Sequence, residues 1–242
     1  MGDRPETASV TIHPIVSALR SAIRASGDSS RAQAQQKYMK SEMPYRGITS
    51  GELTRLVRDV LATTAFPPSR EEWVGAVRSL WDDAEFREER YAATTLAQHR
   101  SAKTWQDPVA LALHKHLIVT GAWWDHVDTV TSKCVSPILA AHRPIVTPIM
   151  RAWAVSDDLW LRRASIISQL PHRERTDTDL LTEAILANVE GTAYGREFFV
   201  RKAIGWSLRQ YARTDAEWVE AFVAEHGDRL SGLSRREALK HL

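Results

Sequence analysis

The stretch Gly121-Ala122-Trp123-Trp124-Asp125-His126-Val127-Asp128 sets two aromatic faces and two carboxylates at the head of a helical segment. At roughly 100° per residue, Trp124 and Asp128 fall together one turn apart, off the arc of Val127, Val130 and Cys134. A carboxylate beside a large flat ring is an arrangement that can meet positive charge. The plainer reading makes Trp124 a core tryptophan and makes Asp125 or Asp128 a helix-start charge favoured by the macrodipole. From the wheel alone, both aspartates and both tryptophans stay open.

Two further constellations carry chemistry. In Ser156-Asp157-Asp158-Leu159-Trp160-Leu161-Arg162-Arg163, Ser156 is a good N-cap. Arg163 shares an arc with Leu159, Ile166, Ile167 and Leu170, an uncommon place for an arginine. Either its stem snorkels to water, or its guanidinium is held for an anion, a phosphate or a carboxylate such as Asp128. Along the helix from Arg196 to Arg213, the residues Val200, Ala203, Ile204, Ser207, Leu208 and Tyr211 form the buried side. Lys202, Arg209 and Arg213 gather within an arc of roughly 40°, with Trp206 beside them. Cations interleaved with an aromatic are the composition of a nucleic-acid contact; a solvated charged face with a cation–π pair is the alternative. Arg235, Arg236 and Lys240 add charge near the C-terminus.

The elements that must hold these residues read as helices nearly throughout. Ile15, Leu19 and Ile23 recur at four-residue spacing toward Gly27, and a short helix follows from Ser30 through Tyr38. Thr49 with Glu52, and Ser69 with Glu72, are capping-box patterns. Helices are expected over 69–82, 85–100 and 106–119, then from the Trp-Trp-Asp segment through Lys133 and Cys134. Others follow over 145–155, 157–170, 178–189, 196–213 and 215–226, with a last piece after Ser234. Alternating strands and Asn-Gly hairpin turns are missing, so the fold class is all-α. Short paired helices with tight loops suit a curved solenoid of antiparallel helix pairs, whose inner helices line a concave basic groove. Residues 1–11 read as a loose tail and 12–242 as a single domain.

Composition narrows the function classes. The chain has 242 residues, 43% hydrophobic and 26% charged, with a formal charge of +2. That charge is mild, so a nucleic-acid surface must come from arrangement rather than total. The lone cysteine, Cys134, excludes an internal disulfide and reads as a small core residue in a reducing, cytoplasmic setting. A signal peptide is not expected, nor a membrane span. Gly-rich phosphate loops, zinc-ligand spacings and a Gly-x-Ser-x-Gly elbow are missing, and His114-Lys115-His116 does not make a metal site.

Taken in order, Lys37-Tyr38-Met39-Lys40, Val119 to Asp128, Ser156 to Ala164, Glu197 to Arg209 and Ser234 to Ala238 make the chain similar to one family. It resembles the AlkD-type DNA alkylation repair glycosylases, all-helical proteins of HEAT-like repeats, from His13 to Leu242. The resemblance implies Trp124, Asp128 and Trp206 as catalytic residues, with Arg163 as a supporting, DNA-facing residue. It implies that the helices near Tyr38 border the lesion; the basic stripe of Lys202, Arg209 and Arg213, with Arg235 and Arg236, is then expected to meet the DNA backbone. The implied activity is hydrolysis of N3-alkyladenine and N7-alkylguanine from duplex DNA to an abasic site. The lesion is not flipped into a pocket, no metal or organic cofactor is used, and the protein acts as a monomer without membrane contact. Met43-Pro44-Tyr45-Arg46-Gly47 is more polar than the family's phenylalanine-rich version, and bulky adducts belong to the implied scope. The rival reading is a catalytically silent helical-repeat module for DNA or protein; it would be marked by loss of the carboxylate or the tryptophans.

Overall fold

The computed structural model describes residues 13–242; the expected tail, 1–11, lies outside the described residues. No strand occurs among the described residues, in line with the all-α expectation. The chain divides into two compact units, one ending at Ala102 and one spanning Lys103–Leu242.

The first unit holds α1 (Pro14–Ala25), α2 (Ser29–Met39), α3 (Ser50–Thr63), α4 (Arg70–Asp82) and α5 (Arg87–Ala97). Ile15, Leu19 and Ile23 bury one stripe of α1, which packs on α3, α4 and α5. Trp73 is wholly buried, and its indole N–H donates to the Leu96 carbonyl at 3.1 Å, so the ring brings no unpaired donor into the core. Thr49 and Glu52 form the expected capping box, and the Ser69 hydroxyl accepts from the Glu72 N–H. The Met43–Gly47 segment is tied down by the buried Glu88 carboxylate, which accepts the backbone N–H groups of Arg46, Gly47 and Ile48. In α2 just one residue, Met39, is buried, and Tyr38 stands 77% exposed.

Near the start of the second unit a 3-10 turn at Pro108–Ala110 stands where the sequence expects a helix from 106. Asp107 caps the Pro108–Ala110 turn, and regular helix starts after it: α6 (Leu111–Gly121). Next come α7 (Trp124–Val130), a π-helical stretch at Thr131–Val135, and α8 (Ser136–Ala141). The helix does run on through Lys133 and Cys134 as expected, but in a widened turn. Pro137 has no N–H for the carbonyl four residues back, and the wider turn accommodates that loss. Cys134 is buried, and desolvation pushes its thiol up to about 12, as suits an inert core residue.

The remaining helices are α9 (Arg143–Ala154), α10 (Leu159–Ile167), α11 (Thr178–Leu186), α12 (Phe198–Tyr211), α13 (Ala216–His226) and α14 (Gly232–Ala238). Helix α10 sits at the centre, packed by α6, α7, α9, α11 and α12, and every residue from Trp160 to Gln169 is buried. Ile166 and Ile167 join Ile185, Val200, Ile204 and Leu208 in one apolar core. Each such side chain is worth about 1.5–3 kcal/mol when fully buried. One expectation is corrected here: Asp158, not Ser156, is the N-cap of α10. The Asp158 carboxylate accepts from the Trp160 and Leu161 N–H groups at 2.9 Å, while the Ser156 hydroxyl accepts from Asp158 N at 3.1 Å. A carboxylate gains from the helix dipole there, and the serine supports it from outside. No described helix is long and apolar enough to cross a membrane.

Candidate active site

The site is built within the second unit, from the turn that starts α7. Ala122 closes α6 in the left-handed region at φ 41°, and Trp123 follows in extended conformation at φ −153°. That reversal makes Trp124 the first residue of α7 and sets Asp128 one turn along the same face. Val127 and Val130 are buried and anchor the helix, leaving Trp124 and Asp128 half-buried.

Helix α10 supplies the partner. Arg163 donates to both Asp128 oxygens, Nε to Oδ1 at 2.8 Å and Nη2 to Oδ2 at 2.9 Å. Its Nη1 donates to the Phe199 carbonyl at 2.6 Å. The arginine side chain is 6% exposed and the aspartate 16%, so the pair is largely out of water while part of the aspartate side chain still reaches the surface. A charge buried in a helix packed on all sides must be paired, and a fork matched to a carboxylate is the geometry that pairs it. Of the two anions open to Arg163, the structure shows the carboxylate. Burial raises the Asp128 carboxyl above the ordinary aspartate range; the hydrogen bonds and charge of Arg163 oppose this, and nearby Asp125 adds to it.

An aromatic cluster, not anticipated from the sequence, backs this pair. Trp123 packs on Trp160 and on Phe199 with ring centroids 6.2 and 5.4 Å apart, and Trp160 meets Phe199 at 5.1 Å. Trp123 is thus packed among rings, whereas Trp124, its neighbour, stacks on none among the described residues. Phe199 does double duty: its ring closes the cluster and its carbonyl receives Arg163. The signal available in sequence was the Phe198-Phe199 pair at the start of α12, whose second ring falls beside Val200 at the buried edge.

Two turns further along α12, Trp206 lies with part of its surface on the apolar core and part in a cleft with Lys133, Arg173 and Gln210. It too stacks on no other ring. Lys202 and Arg209, expected as phosphate contacts, both pair with Glu237 of α14; Lys202 does so at 3.3 Å. Burial would raise the Glu237 carboxyl, but Lys202, Arg209 and Lys240 together bring it below the usual glutamate range. The close docking of α14 on α12 depends on Gly205, where an added Cβ would lie 2.5 Å from the Glu237 Cβ and 3.1 Å from the Ser234 carbonyl oxygen. Arg213, Arg235 and Arg236 are exposed and make no ion pair among the described residues. Tyr38 belongs to the other unit. No cluster of metal-ligating side chains occurs among the described residues.

Comparison with known proteins shows the family of the chain. Residues 19–242 match the family model described as DNA alkylation repair enzyme. Among solved structures, a predicted DNA alkylation repair enzyme from Enterococcus faecalis is similar in fold, with a TM-score of 0.79 and 30% identity. The match covers 89% of this chain and 96% of that one. No curated protein matches the chain.

Proposed function

The chain belongs to the DNA alkylation repair enzyme family, and from that premise we propose that it is a glycosylase for cationic alkylated purines in duplex DNA. Its substrates in this reading are N3-alkyladenine and N7-alkylguanine, and its product is an abasic site. The observation that carries the proposal is the Asp128 carboxylate, gripped by Arg163 through both oxygens on a side chain that is still 16% exposed.

Alkylation at N3 or N7 leaves the purine cationic and ready to depart. The remaining barrier is at the sugar, which gains oxocarbenium character as the glycosidic bond lengthens. A fixed carboxylate stabilises that charge and orients the attacking water, and a preorganised one does so without rearranging in the transition state. Asp128 takes this role. Arg163 acts through it as a positioning residue, a change from the DNA-facing role implied by resemblance. Trp124 and Trp206, whose rings are not spent on stacking, would present their faces to the cationic sugar, each worth about 1–2 kcal/mol when desolvated. The lesion need not be flipped into a pocket. Arg213, Arg235 and Arg236 serve phosphates, with Lys202 and Arg209 shared between phosphates and Glu237.

The test is incubation with a duplex carrying N3-methyladenine and N7-methylguanine. Free methylated base and an alkali-labile abasic site are expected, with the strand otherwise intact. Tight binding with no base released would make the protein a silent DNA-binding module.

A further inference from the structure

The cleft beside Trp206 carries side chains that the proposed chemistry at Asp128 does not use. One rim is the π-helical stretch, which offers Ser132 and Lys133; the other is the loop after α10, which offers Arg173; Gln210 of α12 lies between. No acidic side chain lines it, and neither does one line the adjoining cavity that shares Leu170, Arg173 and Gln210. Lys133 and Arg173 are exposed, and neither side chain makes an ion pair or hydrogen bond within the described residues. That contrasts with Lys202 and Arg209, which Glu237 occupies.

Arg173 is also held in a conformation that costs energy. Its φ is 52°, in the left-handed region that a long L side chain seldom adopts. The flanking framework imposes it. His172 is buried and hydrogen-bonds the Ser136 carbonyl at 3.0 Å. Arg143 donates to the Arg175 carbonyl, and Gln169 exchanges hydrogen bonds with the Asp177 backbone at 2.9 and 2.8 Å. Backbone strain that the surroundings over-determine fixes where Arg173 leaves the chain, at the rim of the cleft. Its side chain is a cation, and it lines the same cleft as Trp206 and Lys133.

We propose that this cleft seats one phosphate of the DNA backbone, with Lys133 and Arg173 as its cations and Ser132 and Gln210 as neutral donors. The inference rests on the glycosylase reading and adds two positioning residues to it. Because Trp206 lines the same cleft, the seated phosphate belongs to the strand carrying the lesion, and it fixes the register of the sugar against Asp128.

The experiment uses Lys133→Gln, Arg173→Asn and the double variant; asparagine tolerates the left-handed backbone while removing the charge. Binding to an undamaged duplex is followed across a salt series, and single-turnover release of N7-methylguanine is followed at saturating enzyme. The double variant is expected to flatten the slope of log K against log salt by about one. Release is expected to slow about ten-fold or more, since a misplaced sugar loses its attack geometry. Arg173→Lys should recover most of the slope. A double variant with the wild-type slope and rate overturns the seat and leaves the glycosylase reading standing. A wild-type protein with no salt-dependent duplex binding overturns both. Inorganic phosphate that protects the wild type against unfolding, beyond chloride of equal ionic strength and not in the double variant, would assign the cleft to free anions and overturn the DNA proposal.

Discussion

The Arg163 guanidinium spans from both oxygens of Asp128, at 2.8 and 2.9 Å, to the carbonyl of Phe199 at 2.6 Å. One arginine thereby joins α7, α10 and α12. The orientation of the Asp128 carboxylate is set by the central helix of the unit rather than by its own, and the chemistry proposed here depends on that arrangement.

Asp128 should control the acid side of the pH profile. Its carboxyl is raised above the ordinary aspartate range by burial, with Arg163 opposing the rise. As pH falls through that raised value the group takes up a proton and loses the charge the reaction needs. Single-turnover excision should therefore decline at a pH above the ordinary aspartate range. In Arg163→Ala the opposing hydrogen bonds and charge are gone, so the decline should begin at a still higher pH. An acid limb unmoved by that substitution would separate Arg163 from the ionisation of Asp128.

Glu237 should act as a brake on DNA affinity. It holds both Lys202 and Arg209, and Glu237→Gln frees their charge. Duplex binding should tighten and its salt dependence steepen by about one to two in slope. Arg209→Ala should do the reverse, weakening binding to duplexes of any sequence and flattening the slope. Equal slopes for wild type and Glu237→Gln would show that the stripe does not reach phosphates.

Gly205 should be needed for stability. Its missing Cβ admits the Glu237 Cβ and the Ser234 carbonyl, and both neighbours are fixed to the α14 backbone. Gly205→Ala should force α12 and α14 apart and cost about 1–3 kcal/mol, the usual range for overpacking. Thermal melting reads this directly, and an unchanged midpoint would mean that α14 shifts freely.

Much of the local structure was legible because it is written in short-range patterns. The four-residue spacing of Ile15, Leu19 and Ile23 marks a buried stripe, and Thr49 with Glu52 marks a helix start. Arg163 on an apolar arc left two readings, a snorkelling stem or an anion partner, and Asp128 was one of the anions open to it. What stayed hidden depends on distant partners or on backbone detail. Glu237 lies 28 residues from Arg209, and nothing in the helix carrying Lys202 and Arg209 says that one carboxylate takes both. Pro137 signals a lost hydrogen bond but not the π-helical turn that absorbs it, and the left-handed Arg173 answers to packing around it, which its residue type does not show.

If the Asp128 carboxylate performs the chemistry, Asp128→Asn disables it without disturbing the fold. Asparagine matches the shape and keeps one acceptor for Arg163, so the variant should fold and bind duplex DNA as the wild type does. Single-turnover release of N7-methylguanine from methylated duplex should fall about 10²–10³-fold, the scale lost when a preorganised electrostatic contact to the transition state is removed. Release at the wild-type rate would contradict the account.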